Sequence, residues 1–274
     1  MTDIFNSQFS NYVHFIATDG SSGQLVSRSS VVTVNLDGLA DNKAQYKAAV
    51  MALSQWTQLT GITFVNAAQA QIEFRNDSAG SAETTTYDDG SSVVEVSKNW
   101  MSGWRPSERW GIGSYGFTTF MHEIGHALGL SHGGHYNGSA IYETDRIFDI
   151  DTWQFSLMSY FDQTKYAPNQ ASYIFPASPM LADIEAIKLI YGNLAVNTGD
   201  TVYGSGSKVM NGVTDIAKLG KTAFAIHDTG GYDTISIAKA KAGSMIDLQP
   251  GHFSNLNGYV GKDRKSTRLN SSHT

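Results

Sequence analysis

The eleven residues "HEIGHALGLSH", His122 to His132, constrain this chain more than any other stretch. Read as a helix at about 100° per residue, Phe117, Met121, Ile124 and Leu128 form one apolar stripe, and His122 and His126 lie roughly 145° away from it. Those two imidazoles are one turn apart, so their ring nitrogens can meet one ion at about 2.0 to 2.1 Å. Glu123 points about 60° to 100° off the pair. From there it does not coordinate directly but reaches a water on the ion. On a continued helix His132 would lie roughly 240° round from His126, out of reach. Gly129 removes the difficulty, because a residue that tolerates positive φ can end the helix and turn the chain so that His132 arrives as a third ligand. His135, after two glycines, reads as a loop or neighbouring residue, since three protein nitrogens and a water already fill a catalytic zinc site.

There is no cysteine, so a transition metal must be held by imidazole, carboxylate or phenolate. The chain has 274 residues, enough for two units, and a net charge of -6. An acidic body excludes nucleic acid and anionic membrane as expected partners. No apolar run is long enough for a membrane span, and the first residues have neither a basic region nor an apolar core of a standard signal.

Apolar residues at Tyr46, Ala49, Val50, Leu53, Trp56 and Leu59 predict a helix over 41–60, with Asp41 as its cap and Gly61 at its end. "GITFV", "AQIEFRN" and "SSVVEVS" read as short strands. "SPMLADIEAIKLIYG" predicts a third long helix, with Pro179 in its first turn, Leu181, Ile184, Ile187, Ile190 and Tyr191 inward, and a stop at Gly192. After Asn193 the texture becomes Gly-, Asp- and Asn-rich turns between short β-like runs. The expected organisation is α+β: a domain over 1–192 with a twisted mixed sheet and an active-site helix, then a small all-β unit over 193–262. Its first 30 or so residues read as a possible propeptide, and 263–274 as a non-native tail excluded from the functional reading.

Downstream, "FSLMSYFDQ" places Met158 two residues before Tyr160. With the histidine pattern before it, this pair looks like a Met-turn, a bend that supports the histidines from below. Together, "FMHEIGHALGLSH" and "SLMSY" resemble the metzincins and, among them, the serralysins, calcium-dependent zinc endopeptidases that bacteria secrete by type I export. The likeness covers roughly residues 40 to 250. It departs at Gly133, where the family often has Pro, and at His135, where it often has Asp or Asn.

The resemblance implies one catalytic Zn2+ on His122, His126 and His132, with Tyr160 as a further ligand that swings to the reaction intermediate. A phenol suits both tasks. Glu123 would be the general base and acid that moves the proton from zinc-bound water to the leaving amine. In "TGDT" and "HDTGGYDTI", two glycine-containing turns can offer carboxylates and carbonyls to a hard cation. The family places a structural Ca2+ there, which maps onto Asn197, Gly199, Thr201, Asp228, Gly230, Gly231 and Asp233, with Asn197 standing for the usual Arg and contributing only its carbonyl. The GGxGxDxUx repeats of the family's β-roll do not occur, so the expected second unit is the start of that domain, without the export signal. Implied partners are protein or peptide substrates and a proteinaceous inhibitor, with a monomeric, extracellular protein. The rival readings are a calcium-stabilised binding or adhesin-like protein with an inactive protease domain, against which the intact Glu123 argues, and a zinc hydrolase of non-peptide amides.

Overall fold

A computed structural model of the chain describes residues 7–18, 28–77, 80–169, 171–215 and 222–258. The tail assigned to 263–274 lies outside the described residues. In chain order the elements are α1 (Ser7–Thr18), β1 (Val31–Gly38), α2 (Lys43–Thr60), β2 (Thr63–Asn66), β3 (Ile72–Arg75), β4 (Ala82–Thr86), β5 (Ser92–Val96), α3 (Pro106–Arg109), α4 (Tyr115–Ala127), α5 (Tyr142–Asp145), α6 (Leu181–Tyr191), β6 (Val202–Gly204) and β7 (Thr234–Ser236). Among the described residues, no helix is long and apolar enough to cross a membrane.

The main sheet has the order β2-β1-β3-β5-β4, with every pairing parallel except β4 against β5. This is a mixed, parallel-rich sheet of the kind expected for a metzincin-like domain. Parallel strands need their faces covered. Helix α2 lies against α4, and α4 in turn packs on β4 and β5. Strand β1 alternates as "VVTVNLDG", burying Val32, Val34 and Leu36. β4 forms the edge.

The expected long helices form, with corrected ends and faces. Asn42, not Asp41, caps α2: its side chain accepts from Gln45 N at 3.3 Å. Asp41 instead accepts from Asn76 Nδ2 at 2.8 Å and from Lys98 Nζ at 3.3 Å. Tyr46 and Val50 are exposed, because the buried face of α2 runs through Ala48, Ala49, Ala52, Leu53, Trp56 and Leu59. Gly61 ends that helix at φ 76°. Helix α6 starts at Leu181, so Pro179 precedes it rather than occupying its first turn, and Asp183 reaches back to Met180 N at 2.8 Å. That reciprocal reach fixes the entry of the chain without a proline.

Helix α1 docks on α6 and buries Phe9, Tyr12, Val13, Phe15 and Ile16 in the main core. The segment after Gly192 is tied to the same body. Gln55 Nε2 donates to Met210 O at 3.1 Å, Asn197 Nδ2 to Gln58 O at 3.3 Å, and Ala177 N to Ala223 O at 2.8 Å. Beyond it, β6 and β7 form a two-stranded parallel sheet, with one further bridge between Met245 and Asn255.

Candidate metal centre

Helix α4 is apolar on most sides, with Phe117, Phe120, Met121, Ile124 and Leu128 fully buried. Ser114 caps its start by accepting from Phe117 N at 3.3 Å. At its other end Gly129 adopts φ 99°, and its N–H donates to His126 O at 2.8 Å while Leu130 N donates to Gly125 O at 2.9 Å. This is the wrap-around ending that glycine permits. Tyr191 Oη donates to Leu128 O at 3.1 Å, satisfying a carbonyl the helix leaves open.

The turn delivers His132 to the other two imidazoles. The Nε2 separations are 3.1 Å for His122 and His126, 3.0 Å for His126 and His132, and 3.3 Å for His122 and His132. Each ring is oriented from behind. Nδ1 of His122 is 2.7 Å from Leu157 O, Nδ1 of His126 is 2.8 Å from Leu130 O, and His132 bonds to the backbone of Tyr136. A proton placed on Nδ1 by its carbonyl partner leaves the Nε2 lone pair free, the tautomer a metal needs. Three such lone pairs this close repel one another unless a cation lies among them. An ion at about 2.0 to 2.1 Å from each fits the trio and leaves one tetrahedral direction open. Burial lowers the pKa of His122, and burial with the neighbouring His122 and His126 brings His132 down to about 3. Among the described residues, these three are the one group of three or more His, Asp or Glu side chains close enough to hold a metal together.

Glu123 is 5% exposed, and its Oε2 accepts from Thr84 Oγ1 at 2.9 Å, the same hydroxyl lying 2.9 Å from Glu123 O. Burial raises its pKa, against the opposing effects of His126 and the Thr84 hydrogen bond. Edge strand β4 therefore touches this buried carboxylate directly. Nothing in the spacing of the histidines points to Thr84, because the contact is 39 residues long in sequence.

Met158 is fully buried beneath α4: a Cβ on Gly125 would lie 2.6 Å from its Sδ and 3.3 Å from Trp56 Cζ2. Gly125, unremarked in the motif, lets the bend and α2 approach the same spot on the helix. The bend itself is held by Asp183, whose carboxylate accepts from Ser156 Oγ at 2.6 Å and from Leu157 N at 2.8 Å. The carbonyl of the same residue, Leu157, on the next peptide, is the one that orients His122. Asp183 escapes sequence reading because a single acid in the first turn of an apolar helix looks like an ordinary cap.

Tyr160 lies with its ring 4.5 Å from His132 and 6.0 Å from His122, and its Oη accepts from Gly138 N at 3.2 Å. Its pKa is raised by burial. His135 is exposed, its ring edge-on to Phe15 at 5.2 Å, outside the histidine trio.

The turns at 197–201 and 228–233 face each other. A Cβ on Gly231 would fall 2.5 Å from Gly199 C, and one on Gly230 3.3 Å from Thr198 O. Asp228 accepts from Tyr203 Oη at 2.6 Å and Gly230 N at 3.0 Å, while Asp233 accepts from Thr201 N at 3.0 Å. Thr201 Oγ1 donates to Gly199 O at 2.9 Å. Asn197, at φ 49°, spends its amide on Gln58 O and His227 O, leaving its carbonyl as the group it can offer. The structure thus gathers all seven residues at one junction, with two acids among them.

Similar proteins are known for both parts of the chain. The family described as Peptidase M10 serralysin C terminal matches residues 192–266, ending four residues past the boundary at 262. Metallopeptidase AprA of Pseudomonas marginalis is 30% identical over 86% of this chain and 53% of its own length. Serralysin C of Dickeya chrysanthemi is 38% identical over 55% of this chain and 32% of its own. Metalloprotease AprA of Pseudomonas entomophila is 31% identical over 78% of this chain and 47% of its own. The chain spans at most about half the length of these relatives.

Proposed function

The chain belongs to the serralysin-type metzincins of peptidase family M10, and from that premise we propose that it is a secreted zinc-dependent metalloendopeptidase that hydrolyses peptide bonds in protein substrates. The observation that carries the proposal is the convergence of three Nε2 atoms within 3.3 Å of one another beside a buried carboxylate. His122, His126 and His132 hold the metal, and Tyr160 is a further ligand when no substrate is present. When bound there, zinc activates a water molecule and polarises the scissile carbonyl.

Glu123 accepts a proton from the attacking water and passes it to the leaving amine. Its raised pKa suits both halves of that task, since a weaker acid is a better base at neutral pH. Thr84 holds one carboxylate oxygen, which leaves the other to face the water. The Tyr160 phenol donates to the oxyanion as it develops. Gly129 and Met158 are structural: one turns the chain, the other supports the helix.

In this reading residues 1–192 form the catalytic domain and 193–262 the start of a calcium-binding β-roll. Ca2+ binds at the junction through carbonyls of Asn197, Gly199 and Gly230, the hydroxyl or carbonyl of Thr201, and the carboxylates of Asp228 and Asp233, with Gly231 permitting the close approach. The catalytic groups are complete, which favours this reading over a binding protein with an inactive protease domain. Casein digestion tests it. With calcium in excess, a zinc-selective chelator abolishes cleavage and added zinc restores it. Undiminished cleavage after the zinc is stripped contradicts the proposal.

A further inference from the structure

Asp151 is fully buried and has no part in the chemistry above. Its carboxylate accepts from Tyr12 Oη at 2.9 Å and from Tyr136 Oη at 2.9 Å and 3.2 Å, one oxygen each. The Ser159 hydroxyl also bonds to it. These donors come from three separated segments: α1, the loop four residues past His132, and the residue before Tyr160. One carboxylate therefore joins the N-terminal helix to both sides of the histidine cluster.

The connection to the cluster is direct. The Tyr136 ring stacks on His132 at 5.5 Å and 27°, and lies 4.8 Å from the Tyr160 ring. Beside His132, a Cβ on Gly133 would fall 2.1 Å from Asp151 Oδ1 and 2.8 Å from Tyr12 Oη. The carboxylate and phenol sit where any side chain at 133 would begin. That contact gives a physical reason for glycine at this position.

Burying a carboxyl is costly unless its oxygens are hydrogen-bonded, and the cost appears here as a pKa raised to about 6 by burial. An apolar side chain could fill the same space without it. A group that expensive, with donors arranged around the ligand loop, is suited to fixing geometry.

We propose that Asp151 is a positioning residue for the metal centre: with Tyr12 and Tyr136 it clamps the 132–136 loop against α1, setting the direction from which His132 and Tyr160 approach the metal. The proposal rests on the reading of the three imidazoles as the zinc site. It makes α1 part of the active enzyme, because Tyr12 belongs to the clamp.

The test uses the full chain carrying Tyr136→Phe, Tyr12→Phe, Asp151→Asn or Asp151→Ala. Zinc affinity is measured by competition with a chromophoric chelator, alongside kcat, KM and the melting temperature. Tyr136→Phe keeps the ring stack and removes one donor. It should weaken zinc binding by about 10- to 100-fold and lower kcat with KM nearly unchanged. Tyr12→Phe, on the far side of Asp151, should move zinc affinity in the same direction, and Asp151→Asn should lose less than Asp151→Ala. If Asp151→Ala does not fold, the two phenylalanine variants still decide. Wild-type zinc affinity and kcat in both of them, with only the melting temperature lowered, would overturn the clamp. Failure of the unaltered chain to bind one zinc would overturn the parent reading instead.

Discussion

The histidine centre and the turn junction at 197–233 are both places where loops bring ligand-type groups together, but they are built in opposite ways. At the centre each imidazole is aimed by a backbone carbonyl, and the supporting groups Asp183, Met158 and Glu123 are all buried. At the junction the two acids are engaged by a tyrosine hydroxyl and backbone N–H groups, and Asp233 is exposed. The first arrangement is braced by core packing on several sides. The second draws little from the core, so an ion there is expected to contribute to the order of the segment it binds.

The largest effect that sharpens this contrast comes from His126→Ala. Zinc per chain should fall from about one to near zero and cleavage by about a thousandfold or more, while circular dichroism stays that of the unaltered protein. A variant that lost its fold along with its zinc would put the centre in the same class as the junction.

Asp183→Asn attacks the packing that aims His122. Oδ2 accepts two N–H groups, so an amide turned toward them costs about 2 to 3 kcal/mol, read from denaturant midpoints without metal. The sign with pH also follows. Burial pushes the Asp183 carboxyl up to about 6, so its contribution to stability is full below about pH 4 and is lost as pH rises through about 6. The variant should show a shallower decline across that window, with the share of Asp151 remaining. An unchanged slope would mean that Asp183 does not titrate there.

At the junction, Asp228→Asn should lower stability by about 1 to 2 kcal/mol in millimolar calcium and far less in chelator. Equal losses in both conditions would show that the Tyr203 and Gly230 hydrogen bonds, not an ion, hold the turns. The smallest effect is expected for Thr84→Val. Its hydroxyl lowers the pKa of Glu123, so removing it should move the acid limb of kcat/KM to higher pH. A shift to lower pH would contradict the assignment of Glu123 as the group that must be ionised.

What could be read from the sequence divides along the range of the contacts. The approach of His132 was legible because Gly129 lies three residues before it, and local backbone geometry decides where the chain goes. The long helices were legible in their periodicity, less so in their faces. Tyr46 and Val50 are apolar yet exposed, while Gln45 and Gln55 are polar yet buried against carbonyls. Strand β1 and helix α1 were not assigned from the sequence, although β1 alternates as a half-buried strand does and α1 carries an apolar face at Phe9, Val13 and Ile16. Thr84, Asp151 and Asp183 were not legible. Each acts on the centre through contacts 15 to 39 residues apart in the chain, where spacing carries no information and the fold alone makes the contact.

In the proposed function this centre binds zinc through three histidines and uses Glu123 for proton transfer. Glu123→Gln separates the two parts, since an amide preserves the shape and removes the base. With zinc quantified by mass spectrometry and casein cleavage followed on the same sample, the variant should carry about one zinc per chain and cleave about a thousandfold or more slowly. One zinc per chain with cleavage within a few-fold of the unaltered protein would contradict it.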